Sequence, residues 1–245
     1  MNIKNLGLMV LVLLLLVGGL FYSLHQFSNP ARSKPPGLVA LWAGKGNLKD
    51  SVTGLVATST NVTFARGKVG RAYSFDGSSS WIQLPASPAL DVGPGAGFTI
   101  ECWIKPSAFD VTVSGTPIIE WDSDRTDGLQ LWSGGEIFAN LKDTSGIAHT
   151  MNVKGITLDT NVFQHLALTY DRQSGNATIY YNGQPVNTQA FGDIVPQTTY
   201  PVNIGRRTGQ VIGLNDTYGG LIDGLSIYNR ALSPAEIQSI YQKSK

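Results

Sequence analysis

The acidic run Glu120-Trp121-Asp122-Ser123-Asp124 sets acids at alternate positions. On a strand, alternation points such side chains to one face. Two carboxylates flanking a glycosidic bond are the machinery of glycoside hydrolysis. Here the third acid is the shorter Asp, the next residue is Arg125, and Asp127-Gly128 reads as a turn that ends the strand near Asp122. No catalytic residue is therefore assigned. Glu120 and Asp122 stay as the pair a hydrolase would need. The segment Asp122–Gly128 also gathers three Asp beside a Gly, but it lacks the spacing and closing Glu of a calcium loop and reads as a solvated acidic turn. Of the three His, His25 precedes a proline-rich stretch, His149 stands alone in a strand, and His165 reads as packed in a sheet. None has the neighbours of a nucleophile relay. No glycine-rich phosphate loop or dinucleotide fingerprint is present.

A second chemistry is recognition by rings and amides. Gln130 and Trp132 share one strand face, and Phe138 and Asn140 share another. Thr178 with Tyr180, and Trp121 or Trp103 with Glu101, could join the same sheet. Stacked rings supply area and planar amides read hydroxyls, so Trp121, Gln130, Trp132, Phe138, Asn140 and Tyr180 are the ligand-binding candidates, suited to a glycan groove. The alternative is that these rings cover a second sheet or lie beneath a loop. Arg206-Arg207 reads as a solvated strand end.

These residues need strands to position them. Phe98, Ile100, Cys102 and Ile104 alternate with Thr99, Glu101, Trp103 and Lys105, the period of a half-buried strand. Similar runs recur at 38–42, 72–75, 81–84, 117–121, 128–132, 136–141, 148–153, 164–170, 177–181, 202–205 and 221–228, with turn signals between them. Asn182-Gly183 is a strong hairpin turn, because both centres accept positive φ. Helical spacing begins only at Ser233-Pro234-Ala235-Glu236, a capping box with Pro at the first helical position, followed by Ile237, Ile240 and Tyr241 on one face. About a dozen strands and one short C-terminal helix predict an all-β, two-sheet antiparallel sandwich.

Composition narrows the function. The 245 residues carry 18 Lys and Arg against 17 Asp and Glu, a net charge of +1, with no basic stripe, which argues against a nucleic-acid partner. The single cysteine, Cys102, excludes an internal disulfide framework. Leu6 to Leu24 is an uncharged 19-residue stretch that, at about 1.5 Å per residue, just spans a hydrocarbon core of roughly 30 Å. It reads as a transmembrane signal anchor within 1–27, or as a cleaved signal peptide. A proline-rich tether follows at 28–37, and 38–245 is one domain. Either reading places the domain outside the cytoplasm, at a cell surface or in a periplasm, and secreted if the leader is cut. The membrane is then a partner through 6–24.

Five segments resemble the laminin-G-like members of the concanavalin A-like lectin/glucanase superfamily: LVALWAGKGNLKDS (38–51), GKVGRAYSFDGSSSWIQLP (67–85), FTIECWIKP (98–106), NVFQHLALTYDRQSGNATIYYNGQPV (161–186) and GGLIDGLSIYNRALSPAEIQSIY (219–241). They stand in family order and cover nearly all of the domain. The resemblance implies a jelly roll that binds glycans or other proteins, and a structural calcium ion (Ca2+) as cofactor. It assigns Asp50, Asp76 and Asp223 as metal ligands, with carbonyls near Gly77 and Ser78. Gly224 stands where relatives commonly carry Glu, so an acidic neighbour is lost. The alternative is that Asp50 and Asp76 cap turns. β-Glucanases on this fold carry Glu-x-Asp-x-Glu on one strand, which Glu120 to Asp124 nearly matches. The reading that follows is a non-catalytic extracytoplasmic binding module for carbohydrate or a glycosylated surface. Its alternatives are a protein-interaction or adhesion module that docks on a cell-surface protein, or a glycan hydrolase.

Overall fold

A computed structural model describes residues 34–108, 110–112, 115–123, 126–208 and 217–244. The expected membrane span at 6–24 and Asp124 lie outside them, and among the described residues no helix is long and apolar enough to cross a membrane. Among the described residues, alternation of apolar and polar residues, closed by Gly- and Asn-rich turns, produces fifteen strands, which form two antiparallel sheets.

The eight-stranded sheet holds β1 (Leu38–Trp42), β3 (Thr63–Arg66), β4 (Arg71–Asp76), β6 (Gly97–Pro106), β11 (Gln164–Asp171), β12 (Asn176–Tyr181), β13 (Gln184–Ala190) and β15 (Gly219–Tyr228). Its order is β13-β12-β11-β6-β15-β4-β3, with β1 also on β15. The seven-stranded sheet holds β2 (Thr58–Thr60), β5 (Trp81–Leu84), β7 (Thr116–Ser123), β8 (Thr126–Ser133), β9 (Ile137–Leu141), β10 (Thr150–Val153) and β14 (Val202–Ile204), in the order β10-β9-β8-β7-β14-β5-β2. The expected two-sheet jelly-roll sandwich with a C-terminal helix is the fold observed.

Strand register explains the core. Ile82, Ile204, Ile119, Leu131, Ala139 and Met151 pair in turn across the seven-stranded sheet and are all buried. They face Phe98, Ile100, Cys102, Ile104, Leu166 and Leu168 of the other sheet within one apolar cluster. Burying each large side chain contributes roughly 1.5–3 kcal/mol. Cys102 is fully enclosed there, and burial pushes its thiol well above the usual range.

The hairpin between β12 and β13 turns at Asn182 and Gly183, both at positive φ, as Asn-Gly predicts. Strand β6 departs from its expected half-burial: its outer face is also covered. The cover is the helix α1 (Pro234–Lys243), capped by Ser233, which accepts from the Glu236 amide while Glu236 reaches back. Ile237 is fully buried with Leu38, Ala167, Tyr180, Tyr228 and Leu232, in a second apolar cluster outside the sandwich. Asp127-Gly128 also departs from expectation. It is not a turn but part of β8, where Asp122 pairs with Asp127. A Cβ on Gly128 would collide with the Gln197 carbonyl, which accepts from Leu129 N at 3.1 Å, so this glycine serves a close backbone approach.

Candidate binding site

The residues that alternate with the core rung of the seven-stranded sheet form a polar rung on its outer face. Thr58, Gln83, Asn203, Glu120, Gln130, Asn140 and Thr150 are successive register partners. Neighbours on such a rung lie about 4.5–5.5 Å apart, within reach of one another's side chains. Asn140 Nδ2 donates to Gln130 Oε1 at 3.0 Å, and Gln130 Nε2 donates to Glu120 Oε1 at 2.7 Å. Trp132 Nε1 donates to Glu120 Oε2 at 3.0 Å, and Gln83 Nε2 donates to Asn203 Oδ1 at 3.1 Å. Asp122 accepts from Asn203 Nδ2, from the Thr208 amide at 2.7 Å and from the Thr208 hydroxyl at 2.6 Å. Trp132 and Phe138 pack with ring centroids 5.4 Å apart. Asn140 Oδ1 is buried without a hydrogen-bond partner among the described residues.

A strap of Arg206, Arg207 and Thr208 crosses this face. The Arg206 guanidinium lies 3.6 Å from the Trp81 ring centroid, and that of Arg207 lies 5.1 Å from the Trp132 centroid. Arg207 Nε is 3.6 Å from Glu120 Oε1, and Lys142 Nζ is 3.1 Å from Asp127 Oδ1. The pair is thus no solvated strand end: each cation rests on an indole, where the ring's negative face attracts it. Glu120 is fully buried, and burial pushes its carboxyl up to about 8, against the lowering pull of Arg207 and the donors around it. The centre of the face is closed, whereas Phe138 is half-buried and Thr150 and Asn152 are exposed at its rim.

Of the expected ligand residues, Gln130, Trp132, Phe138 and Asn140 come together here. Trp121 does not. It is one residue out of phase with Glu120, so it points into the core, where its Nε1 donates to the Leu90 carbonyl at 3.2 Å. Tyr180 belongs to the other sheet, beneath α1. Trp103 and Glu101 are also on that other sheet, with Glu101 Oε2 3.1 Å from His165 Nε2. Trp81, Gln83, Asn203, Arg206 and Arg207 were missed. An amide set between Val202 and Ile204, and the alternation of Trp81-Ile82-Gln83-Leu84, are the signals that point Asn203, Trp81 and Gln83 outward.

The expected calcium ligands do not gather. Asp50 accepts from Leu41 N (2.7 Å), Val52 N (3.0 Å), Thr53 N (2.7 Å) and Thr53 Oγ1 (2.5 Å). Burial pushes the Asp50 carboxyl up, but these bonds hold it below the ordinary value. Asp76 closes its own turn with the amides of Ser78, Ser79 and Ser80, and bonds led by Ser79 hold its carboxyl far below the usual range. Asp223 accepts from Val69 N at 2.9 Å, and burial raises its carboxyl. Among the described residues, no three His, Cys, Asp or Glu side chains are placed to hold a metal ion. Asp50 and Asp76 bond chiefly within their own turns and Asp223 accepts from the distant Val69 amide, so the three do not fit one ligand set.

The family model for the concanavalin A-like lectin/glucanases superfamily (laminin G) matches residues 76–238. No curated relative matches the chain in sequence. Among solved structures, the binding domain of Paraclostridial Mosquitocidal Protein 1 is similar, with a TM-score of 0.70 and 17% identity over 84% of this chain and 52% of that one. The botulinum neurotoxin serotype G binding domain is similar with a TM-score of 0.66 and 20% identity over 84% and 51%. This chain therefore spans about half the length of those toxin domains. Domain 4 of AbnA, an extracellular arabinanase from Geobacillus stearothermophilus solved in complex with arabinotriose, matches with a TM-score of 0.64 and 22% identity over 84% of this chain and 98% of that one. At these identities the likeness is one of fold.

Proposed function

We propose that this chain, which belongs to the concanavalin A-like lectin/glucanases superfamily, is a non-catalytic extracytoplasmic module that binds a glycan or a glycosylated surface through the outer face of its seven-stranded sheet. The observation that carries this reading is the open rim of that face, where Phe138, Thr150 and Asn152 stand at the end of the polar rung beside Trp132. Amides in register and aromatic faces are the groups that read sugar hydroxyls and stack on sugar rings. The similar arabinanase domain, solved with arabinotriose, supports the ligand class. Glu120 and Asp122 are engaged by protein donors, which supports binding over hydrolysis. The apolar stretch at 6–24 supports a membrane-held domain, or a secreted one once that stretch is cut.

A glycan array probed with the chain tests this. Phe138→Ser and Asn152→Ala, at the exposed rim, should abolish the signal while leaving the thermal midpoint within a few degrees. No glycan signal, with capture of a cell-surface protein instead, overturns it. Measured hydrolysis lost in Glu120→Gln overturns its non-catalytic part. The reading gives calcium no part in binding, because Asp50, Asp76 and Asp223 are not gathered. Melts in excess chelator and in excess calcium should coincide.

A further inference from the structure

The eight-stranded sheet carries a separate pocket, made by a change of partner along one strand. Strand β15 pairs with β6 on one side along most of its length. On its other side, Gly219–Ile222 pair with β4 and Leu225–Tyr228 pair with β1. The change falls at a register shift between Asp223 and Ser226. Where β1 ends and β4 has yet to begin, the sheet has a notch of about 220 Å³. Its walls include Leu41, Ala43, Val69, Trp103, Glu101 and Asp223. An apolar cavity of about 150 Å³ holds benzene, so this volume admits a small organic ligand.

Its chemistry is specific. Glu101 and Asp223 are 5% and 2% exposed, yet among the described residues neither pairs with a Lys or Arg side chain. Among the described residues, Glu101 has only His165 within ion-pair distance, through Oε2. Buried carboxylates are costly without a cation. Burial raises Asp223, and the charge of Glu101 adds to that rise. The indole of Trp103 already attracts an ammonium: Lys68 Nζ lies 4.7 Å from its ring centroid, while Tyr241 stacks on the indole with centroids 5.6 Å apart. A hard divalent ion wants six or more oxygens. Two carboxylates among Leu41, Ala43, Val69 and an indole instead match an alkylammonium, whose charge favours the acids and the ring and whose carbons favour the apolar walls.

We propose that the notch formed by Trp103, Glu101 and Asp223 binds a small organic ammonium ion, which displaces the Lys68 ammonium from the indole.

Calorimetric titration of the 245-residue chain tests it, with choline, butylammonium, the neutral choline isostere 3,3-dimethylbutan-1-ol, and calcium chloride as probes. At least one ammonium should bind, and the neutral isostere should bind about tenfold more weakly or worse. Glu101→Gln and Asp223→Asn should each weaken ammonium binding about tenfold. If the first variant fails to melt cooperatively, the second alone decides. Lys68→Met, which clears the ring, should tighten binding. Equal binding of the isostere reduces the notch to an apolar cavity and overturns the proposal. So does calcium competing with the ammonium, an unchanged affinity in Asp223→Asn, weaker binding in Lys68→Met, or no binding of either ammonium.

Discussion

The two sheets treat their outer faces in opposite ways. On the seven-stranded sheet the polar groups satisfy one another along a rung, and a strap of arginines closes the centre. On the eight-stranded sheet a helix covers an outer face that mixes Ala167, Tyr180 and Tyr228 with Glu101 and His165, whose Nδ1, like Asn140 Oδ1 on the rung, has no hydrogen-bond partner among the described residues. Both faces come from the same period-two alternation. What covers each face, rather than its polarity, determines which groups remain available to a ligand.

The sharpest way to break this contrast is to undock the helix. Ile237 is fully buried, so Ile237→Ala should cost about 2–5 kcal/mol, read as a fall in the urea midpoint, and should expose Trp103 to a fluorescence quencher. A fall below about 0.5 kcal/mol would mean the helix is not what closes that face.

Next comes Glu120. Its folded carboxyl is raised from 4.5 to about 8, so the folded state holds the proton more tightly than the unfolded one. Its contribution is full below the unfolded value and is lost as pH rises through about 8. The wild-type chain should therefore lose on the order of 4 kcal/mol between pH 5 and pH 9 through this group, and Glu120→Gln should flatten that slope. Parallel slopes in melts across that range would place the titration elsewhere.

A smaller effect belongs to the cap. Ser233→Ala should cost about 1 kcal/mol and fray the helix start without touching the strap. The smallest belongs to the strap itself. Arg206→Ala should change stability by under about 1 kcal/mol, because it removes one half-exposed cation from Trp81. By freeing that ring it should strengthen glycan binding on the array. A weaker signal would make Arg206 part of the ligand's contacts instead of its competitor.

Much of the fold was legible because alternation is a local property. The strand at 98–105, the Asn-Gly hairpin and the capping box at 233–236 are each written within ten residues, and each is found in place. Strands β2, β3 and β13 were missed, since edge strands such as Thr58–Thr60 bury little and need no apolar period. The site was half legible. Gln130 with Trp132 and Phe138 with Asn140 follow from alternation within one strand. Which sheet a strand joins does not, and Tyr180 was therefore placed with the wrong partners. Gly128 looked like a turn because close backbone approach and positive φ select the same residue. The arginines at 206 and 207 could not be foreseen, because their partners Trp81 and Trp132 are brought near only by the crossing of distant segments.

Cys102 sits where the two sheets meet, closed off on every side. A maleimide or iodoacetamide can reach it only when the layers separate, not when a loop or the helix breathes. Its alkylation rate is thus a built-in clock for global opening, against which movements of the strap or the helix can be timed.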